Sequence, residues 1–489
     1  MLPLTLARTT SCAGAALALG AALSCSAITQ IPQQSCSDNE KCREGFGLGW
    51  VCNQDSGLCE EVEENALCKS VYPEDLLTDP DKYPGDTILF ATLLDGEGDI
   101  QMINSANLAI EQVRTNGLEN RAFGMINCSY GNDSDVMRQI DDAKEAARYA
   151  VDAYGVVAII GPGTSSIAEA VYNEVKDEVL IVSPSATSDS LTFIDGTMKS
   201  FDNPGLFWRT APPDSGIAER MASELISSGR TKVALIYKDG AYGSNLADLL
   251  NKSLESKGIA NPLIARPYSD TGDLGNPMNE IGGMTDVEEI VFIADSNPDV
   301  VTFLVDAASR SAMGGNSFAT ATLMLGDAGF SEANVLAELN QAVKDELVAS
   351  GRIRGVKPKS PAGPAFMAFS TAYTGAFGES PANNGYTAES YDAAWLAIYG
   401  AGWSLYNEGG IEPKGMAKGL HRVSAGKALD INKTTWNEIR SIFESGMGVD
   451  VNGVSGDLNY AEDTEETAGA GELWQIILDG GVLKYNILG

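Results

Sequence analysis

The stretch Ile159-Ile160-Gly161-Pro162-Gly163-Thr164-Ser165-Ser166 decides the fold of this chain. Apolar residues are followed by a glycine turn, and hydroxyl residues then open an amphipathic segment. This order is typical of a buried strand that ends in a tight turn and leads into a helix. The first N–H groups of such a helix have no partner within the helix and can bind an anion. We therefore predict an anion-binding junction at this point of an α/β sheet.

A second hydroxyl-rich loop follows the next predicted strand, at Val182-Ser183-Pro184-Ser185-Ala186-Thr187-Ser188. Ligands of open α/β sheets bind at the carboxyl ends of the parallel strands. Two such loops on neighbouring strands would therefore face one cleft. Ser and Thr ahead of a helix also act as N-caps, and capping alone would explain either loop taken by itself.

Apolar strands alternate with amphipathic helices from Pro84-Gly85 onward. A crossover at 207–213 separates two series of these elements, and a hairpin-like pair ends the chain. Parallel strands joined by helices form doubly wound sheets, so the sequence predicts two α/β lobes. The predicted strands are 88–94, 122–126, 156–160, 180–182, 233–237, 290–293, 322–325, 473–478 and 482–485, and helical sequence covers 135–154, 333–350 and 391–406.

Several enzyme motifs are incomplete in this chain. Gly161-Pro162-Gly163 resembles the start of a dinucleotide fingerprint, but its third glycine position holds Ser166 and no acid follows the next strand. No Gly-Lys-Ser/Thr follows either, which excludes a P-loop. His421 is the only histidine, so the common hydrolytic machineries lack parts. We predict a binding protein without cofactor or metal, not an enzyme.

The chain is strongly acidic, with 67 acids against 33 bases and a formal net charge of −34. The acids are spread along the chain, and basic clusters are absent from the sequence. Such a surface repels a phosphate backbone, so nucleic acid is excluded as a partner.

Residues 1–24 resemble a signal peptide, with Arg8 ahead of a short apolar run. This run is far shorter than the roughly 20 residues that span a bilayer. Ala22-Leu23-Ser24-Cys25 resembles a lipobox, although its leucine lies one place nearer the cysteine than in the commonest pattern. Lipidation of Cys25 and a freely soluble mature chain both stay open. In both cases we expect the protein in the periplasm or cell envelope of a bacterium, where a lipid on Cys25 would be its only contact with the membrane.

Residues 25–85 predict a small cysteine-rich module or linker. Six cysteines remain once Cys12 and Cys25 are set aside, and an even set in an oxidising compartment favours disulfides over zinc. Cys68 precedes the first strand and Cys128 follows the second, so we expect these two to form a bridge. The other four would pair locally, in an order that the sequence leaves undecided. The disulfide candidates are Cys36, Cys42, Cys52, Cys59, Cys68 and Cys128.

Taken in this order, the motifs resemble the type I periplasmic binding proteins of the leucine/isoleucine/valine-binding group, the substrate-binding proteins of ABC transporters. The resemblance covers residues 86–489. It implies two Rossmann-like lobes joined by a three-strand hinge, with lobe one at 86–210 and 328–452 and lobe two at 211–327 and 453–489. It rests on the two loops above, Leu191-Thr192, Phe207-Trp208-Arg209-Thr210, Tyr237-Lys238-Asp239-Gly240-Ala241-Tyr242-Gly243 and Tyr391-Asp392-Ala393.

The resemblance also implies a ligand site. Ser165, together with the loop residues Ser185, Ala186 and Thr187, would bind a ligand carboxylate. Tyr242 would close on the ligand from the second lobe, and Asp299 would pair with its ammonium group. Ordinary packing at a strand end is the alternative for Tyr242, and for Asp299 the alternative is an acid at a helix N-terminus.

One loop departs from the family pattern. Where relatives often carry an aromatic residue, this chain has Asp95-Gly96-Glu97-Gly98-Asp99. These acids would either contact a cationic group or form an exposed acidic turn. The side-chain pocket of the ligand therefore stays open.

The resemblance implies a monomer that captures an amino acid or related small carboxylate and delivers it to an ABC permease. The alternative is an envelope sensor that uses the same fold to signal through a partner protein.

Overall fold

The computed structural model describes residues 34–114, 117–131, 135–259 and 264–488. The predicted signal peptide and Cys25 lie outside these ranges. Within them, no helix combines the length and the apolar character that crossing a membrane requires. The strands are β1 Trp50–Asn53, β2 Leu58–Glu61, β3 Ser70–Tyr72, β4 Ile88–Leu94, β5 Phe123–Ser129, β6 Ala158–Ile160, β7 Leu180–Ser183, β8 Phe207–Arg209, β9 Val233–Lys238, β10 Ile264–Tyr268, β11 Glu289–Ile293, β12 Thr322–Leu325, β13 Ile353–Pro358, β14 Lys427–Asp430, β15 Val449–Asn452, β16 Gly471–Asp479 and β17 Val482–Ile487.

The helices lie on both sides of these strands. They are α1 Asn39–Phe46, α2 Ile100–Val113, α3 Val136–Tyr154, α4 Ser165–Glu174, α5 Ser215–Ser227, α6 Ala241–Ser256, α7 Gly275–Gly282, α8 Asn297–Met313, α9 Gln341–Val343, α10 Pro364–Phe377, α11 Thr387–Asn407, α12 Pro413–Leu420 and α13 Trp436–Glu444.

Lobe one is built on a six-stranded sheet with the order β3-β5-β4-β6-β7-β8. Strands β5, β4, β6, β7 and β8 run parallel, and β3 joins the edge antiparallel to β5. Every residue of β4 is buried, as expected for a central strand covered by helices on both faces. The long helix α11 packs into the same core, with Trp395 and Tyr399 against Trp436 of α13.

Lobe two is built on a seven-stranded sheet with the order β10-β9-β11-β12-β13-β16-β17. The strands from β10 to β13 run parallel, whereas β16 and β17 form the antiparallel hairpin predicted at the end of the chain. The two lobes confirm the predicted class of fold. Because each lobe has its own sheet and apolar core, a cleft can form between them.

The predicted lobe boundary at 328 is wrong, because β13 lies in the second sheet. Strand β13 pairs in parallel with β12, and apolar residues such as Val335 and Leu347 pack into the second core. The chain therefore returns to lobe one only between β13 and α10. Leu458 still packs in the first core, so the last crossing lies beyond the predicted position 452. The predicted helix at 333–350 is also interrupted, since α9 continues as a π-helix at Lys344–Val348.

The chain thus passes three times between the lobes. The crossings lie between β8 and α5, between β13 and α10, and between β15 and β16. The crossings lie side by side, since a Cβ on Gly469 would lie 2.1 Å from the Cβ of Pro212 and the N–H of Lys359 donates to the carbonyl of Ala470 at 3.0 Å.

The cysteine-rich module is fused to lobe one. Disulfides Cys36–Cys52 and Cys42–Cys59 lie within the module, and Cys68–Cys128 ties it to β5, which confirms the predicted bridge and the local pairing of the other four. The side chain of Arg43 donates a 2.9 Å hydrogen bond to the carbonyl of Ala153 in the last turn of α3. Together with the added edge strand β3, these contacts make the module part of the lobe and not a loose tether.

Candidate ligand-binding site

A cleft of about 550 Å³ lies between the lobes at the carboxyl ends of the parallel strands. Its volume falls within the range of about 300–1,000 Å³ typical of small-molecule sites. Lobe one contributes the loops after β4, β6 and β7 and the start of α11. Lobe two contributes the ends of β9, β11 and β12. The two hydroxyl-rich loops that the sequence placed together do line one cleft.

The start of α4 forms a polar corner in the cleft. Thr164 is the N-cap of α4, yet its side chain makes no capping hydrogen bond, so the N–H groups of the first turn stay uncovered. Ser165 Oγ accepts a 3.1 Å hydrogen bond from the N–H of Ser188. This contact does not use the hydroxyl proton of Ser165. Buried Thr187 Oγ1 lies close to the Asp214 carboxyl without meeting hydrogen-bond geometry. N–H groups and hydroxyls here suit an anion such as a carboxylate.

The loop after β7 holds Ser185 and Ala186 in different ways. Ser185 lines the cleft and donates a 2.8 Å hydrogen bond to the carbonyl of Gly163, so it couples the two loops. Ala186 is fully buried and lies outside the cleft wall. Its N–H donates to Ser183 Oγ at 3.0 Å, and its carbonyl accepts from Arg209 at 3.0 Å. Both backbone groups of Ala186 are therefore engaged within lobe one, and the structure does not place this residue on the cleft wall.

Asp327 faces this corner from lobe two, directly after β12. The hydroxyl of Tyr242 donates to one oxygen of its carboxylate, and the hydroxyl of Tyr386, from lobe one, donates to the other. Burial, reinforced by the charge of Asp327, raises the pKa of both tyrosines well above the ordinary value, so they stay protonated donors. In the described part of the chain, Asp327 forms no ion pair. It is a carboxylate held in place and free to receive a cation.

The environment of Asp299 is different, because its charge is already compensated. Its Oδ2 accepts from Lys238 Nζ at 3.2 Å and from the hydroxyl of Tyr268 at 2.9 Å, and its Oδ1 accepts from Thr271 at 2.5 Å. Asp299 borders the cleft but is only 2 % exposed. Sequence reasoning chose this acid and missed Asp327, although Leu325-Gly326-Asp327 marks the carboxyl end of a buried strand.

Nearly all charged side chains that line the cleft are acids. Removal from water raises the pKa of Asp99 to about 7 and the pKa of Asp95 and of Asp295 to about 6. The only cationic side chain among the described lining residues is Lys238, which is bound to Asp299. Asp95 and Asp99 therefore line the cleft and do not form a merely exposed turn. The lining acids are Asp95, Glu97, Asp99, Asp295, Asp299, Asp327 and Glu338.

The sequence profile of the periplasmic binding proteins matches residues 95–433, more than half of the chain. The chain belongs to the periplasmic binding protein family. Relatives in this family are extracytoplasmic substrate-binding proteins, and the resemblance seen in the sequence is thereby confirmed. A search of curated proteins finds no match.

Solved structures show that this periplasmic binding protein has the type I fold. LivJ from Streptococcus pneumoniae in complex with isoleucine is 15% identical, with a TM-score of 0.56, and the match covers 82% of this chain and 99% of LivJ. LivK, a leucine-binding protein from Thermotoga maritima, is 15% identical with a TM-score of 0.58 over 82% and 98%. A solute-binding protein from R. palustris in complex with 4-hydroxybenzoate is 15% identical with a TM-score of 0.60 over 82% and 96%. At this identity the match shows the fold, and the ligand must be argued from the cleft.

The lobes of this periplasmic binding protein touch along one side of the cleft. The N–H of Ala241, at the start of α6, donates to Ser166 Oγ at 3.1 Å. Ser188 Oγ donates to the carbonyl of the same alanine at 2.7 Å, and the N–H of Asp189 donates to Asn245 Oδ1 at 3.0 Å. We call the contacts of Ser166 and Ser188 with Ala241 the latch. It joins both hydroxyl-rich loops of lobe one to a helix of lobe two.

Proposed function

We propose that this protein captures a free amino acid in the interlobe cleft and delivers it to an ABC permease. The observation that carries the proposal is the pairing of two opposite subsites in one cleft. The α4 corner in lobe one offers uncovered N–H groups and hydroxyls, and Asp327 in lobe two offers a carboxylate without a cation. An α-amino acid carries the complementary pair of charges, a carboxylate and an ammonium group.

The ligand carboxylate would bind at the start of α4. Ser165 and Thr187 would donate their hydroxyl protons, and the helix N-terminus would add its N–H groups and its partial positive charge. Ser185 would support this corner by holding the Gly163 turn in place. Solved structures of the same fold contain isoleucine, leucine and benzoates, all of which carry a carboxylate.

The ligand ammonium group would bind Asp327, with Tyr242 and Tyr386 holding that carboxylate. Assignment of the ammonium to Asp299 is less consistent with the contacts, since Lys238 already occupies that acid. A second cation beside Lys238 would be repelled. Tyr242, expected from the sequence to act on the ligand from lobe two, would do so by positioning the carboxylate of Asp327.

Capture would work by closure of the lobes about the three crossings. Subsites on both lobes bind one ligand only while the cleft is shut, so the ligand shifts an open-closed equilibrium by its differential affinity. The closed monomer would then dock on a permease at the cell envelope. Such a protein binds and releases its ligand unchanged, and is not an enzyme.

A second candidate is an envelope sensor with the same ligand site. The observation that favours it is the cysteine-rich module, which the two-lobed fold does not need and which is fixed to lobe one by Cys68–Cys128. A rigid module on one lobe could carry a partner-binding surface. Co-purification with a permease would favour transport, and co-purification with an envelope kinase would favour sensing.

The test is a thermal-shift screen of the mature protein against free amino acids, their decarboxylated amines and their deaminated acids, followed by calorimetry. Ligands that bind the native state raise its melting temperature. We expect stabilisation only by compounds that carry both groups. If amines or acids alone stabilise as well as amino acids, the paired-subsite argument is wrong.

A variant with Ser165→Ala and Thr187→Ala checks the carboxylate subsite. Hydrogen bonds to a charged group contribute about 1.5–3 kcal/mol each, so the pair should weaken binding about a hundredfold or more. Ser223→Ala is the matched control, since its hydroxyl, on a half-buried residue of α5, contacts Glu219 and lies outside the cleft wall. Unchanged calorimetric affinity in the double variant would place the carboxylate elsewhere.

A further inference from the structure

A second acidic subsite lies in the cleft, apart from Asp327. It is formed where the loop after β4 meets the Gly163 turn. A Cβ atom placed on Gly163 would lie 2.9 Å from the Tyr130 hydroxyl, 3.2 Å from Asp99 Oδ2 and 3.5 Å from Ser185 Oγ. Asp95 belongs to the same loop, since its N–H donates to Asp99 Oδ2 at 3.0 Å.

Lobe two adds a further acid opposite this loop. Asp295 follows β11 and lines the same cleft, and its charge acts on Tyr130 together with those of Asp99 and Asp95. We call Asp95, Asp99, Tyr130 and Asp295 the second subsite. It combines three carboxyl groups from both walls of the cleft, whereas the ammonium group of an amino acid needs only one.

Asp95, Asp99 and Asp295 form no ion pair within the described residues, and the only cation near them is Lys238, whose charge lowers the pKa of Asp295 alone among the three. Lys238, the cationic side chain of the cleft wall there, is 3.2 Å from Asp299 and is committed to it. Carboxylates gathered in a partly desolvated site repel one another. A positive charge from a ligand would remove this repulsion.

Tyr130 points independently to a ligand. Its side chain is 2 % exposed and borders the cleft, yet its hydroxyl meets hydrogen-bond geometry with no group of the described residues, although the N–H of Gly163 lies near it. One carboxylate oxygen of Asp95, Oδ1, is buried in the same way without a partner. Buried polar groups are as a rule hydrogen-bonded, so these atoms fit a ligand that donates several hydrogen bonds. Guanidinium and ammonium groups donate several and accept none.

We propose that the ligand is an α-amino acid with a cationic side chain, of the arginine, lysine and ornithine class. Its guanidinium or ammonium group binds between Asp95 and Asp99 of lobe one and Asp295 of lobe two, with Tyr130 accepting a further hydrogen bond. The inference rests on the proposed amino-acid function, because the α-carboxylate and α-ammonium groups occupy the α4 corner and Asp327. The side chain then reaches along the cleft to the second subsite.

Calorimetry at pH 8 with matched ligands tests the inference. L-arginine is compared with L-citrulline, which has nearly the same shape without the charge, and L-lysine with L-norleucine. We expect each cationic ligand to bind at least tenfold more tightly than its neutral counterpart. Agmatine, which is arginine without its carboxylate, should bind far more weakly than L-arginine.

A variant with Asp95→Asn and Asp295→Asn tests the residues. It should lose at least tenfold in affinity for L-arginine and keep its affinity for L-citrulline within a factor of about two. Asp286→Asn is the control, because this acid is exposed on lobe two and pairs only with Lys232. If the double variant fails to fold, the matched ligands on the wild-type protein still decide the inference.

The outcomes separate the inference from the function on which it rests. Equal binding of L-arginine and L-citrulline, or preference for leucine, overturns the second subsite and leaves amino-acid capture standing. Agmatine binding as tightly as L-arginine overturns the amino-acid function and supports the second subsite alone. If no amino acid or amine binds, both are wrong.

Discussion

Replacing Asp327 by asparagine should weaken ligand binding without unfolding the protein. The substitution removes the negative charge that two tyrosine hydroxyls hold at the end of β12. A hydrogen bond to a charged group contributes about 1.5–3 kcal/mol, which corresponds to roughly a 10- to 150-fold rise in Kd. Because no ion pair of Asp327 is present in the described chain, its loss leaves no buried cation alone. We expect the melting temperature of the unliganded protein to change little.

Asp299→Asn is the matched control and should behave in the opposite way. It deprives Lys238 of its carboxylate in a place where both side chains are almost fully buried. Breaking a buried pair by removing one partner costs about 3–5 kcal/mol, so the unliganded variant should melt at a clearly lower temperature. The affinity of the fraction that remains folded should stay within a few-fold of the wild-type value.

The assay is thermal unfolding of each variant, followed by calorimetry with the amino acid that gives the largest thermal shift. Measurements are made below the melting temperature of the weaker variant, so that both proteins are folded. A loss of affinity in Asp299→Asn with unchanged affinity in Asp327→Asn would refute the reasoning from ion pairing. The assignment first suggested by the sequence would then be correct.

Two predictions concern stability. Removal from water raises the pKa of Asp99 to about 7, with Asp95 beside it and Tyr130 facing it, so the folded protein retains a proton that the unfolded chain releases near the ordinary value of 3.8. The free energy of unfolding of the unliganded protein should therefore fall as pH rises from about 4 to 7. Thermal melts at pH 5 and pH 8 should show a smaller fall for Asp99→Asn than for the wild-type protein. Equal falls in the two proteins would contradict this prediction. The double variant Cys68→Ala, Cys128→Ala removes a disulfide whose cysteines are 60 residues apart, and chain entropy predicts a loss of about 4 kcal/mol in the free energy of unfolding. The double variant Cys36→Ala, Cys52→Ala removes one with a separation of 16 residues and should lose about 3 kcal/mol. Chemical denaturation of both variants measures the difference, and a smaller loss for the longer bridge would contradict the prediction.

The fold was predictable where the sequence pattern was local. Strands β4 and β12 were foreseen because each is a short apolar run between turn signals. Strand β10 carries Arg266 and Pro267 at the edge of its sheet, and β13 alternates apolar residues with Arg354 and Lys357, so neither gave that signal. Missing β13 also displaced the lobe boundary, because sheet membership depends on pairing with β12 and β16.

The candidate site was predictable only in part. The α4 corner follows from the order of residues in one loop, and Ser165 and Thr187 do line the cleft. The choice between Asp299 and Asp327 depends on Lys238, which lies 61 residues before Asp299 in the chain and reaches it only in the folded lobe. Sequence shows which acids end strands, but it does not show which of them already have a cation.

In the closure proposed above, the latch is separate from the groups that select the ligand. On the lobe-two side it uses only the N–H and carbonyl of Ala241, which every amino acid except proline supplies in the same form. Exchange of cleft side chains, including the acids of the second subsite, leaves these contacts intact. A descendant of this protein could therefore acquire a new ligand by substitutions in the cleft wall while inheriting the proposed closing movement unchanged. The same property makes the chain a suitable scaffold for redesigned sensors, in which the binding specificity changes and the conformational readout does not.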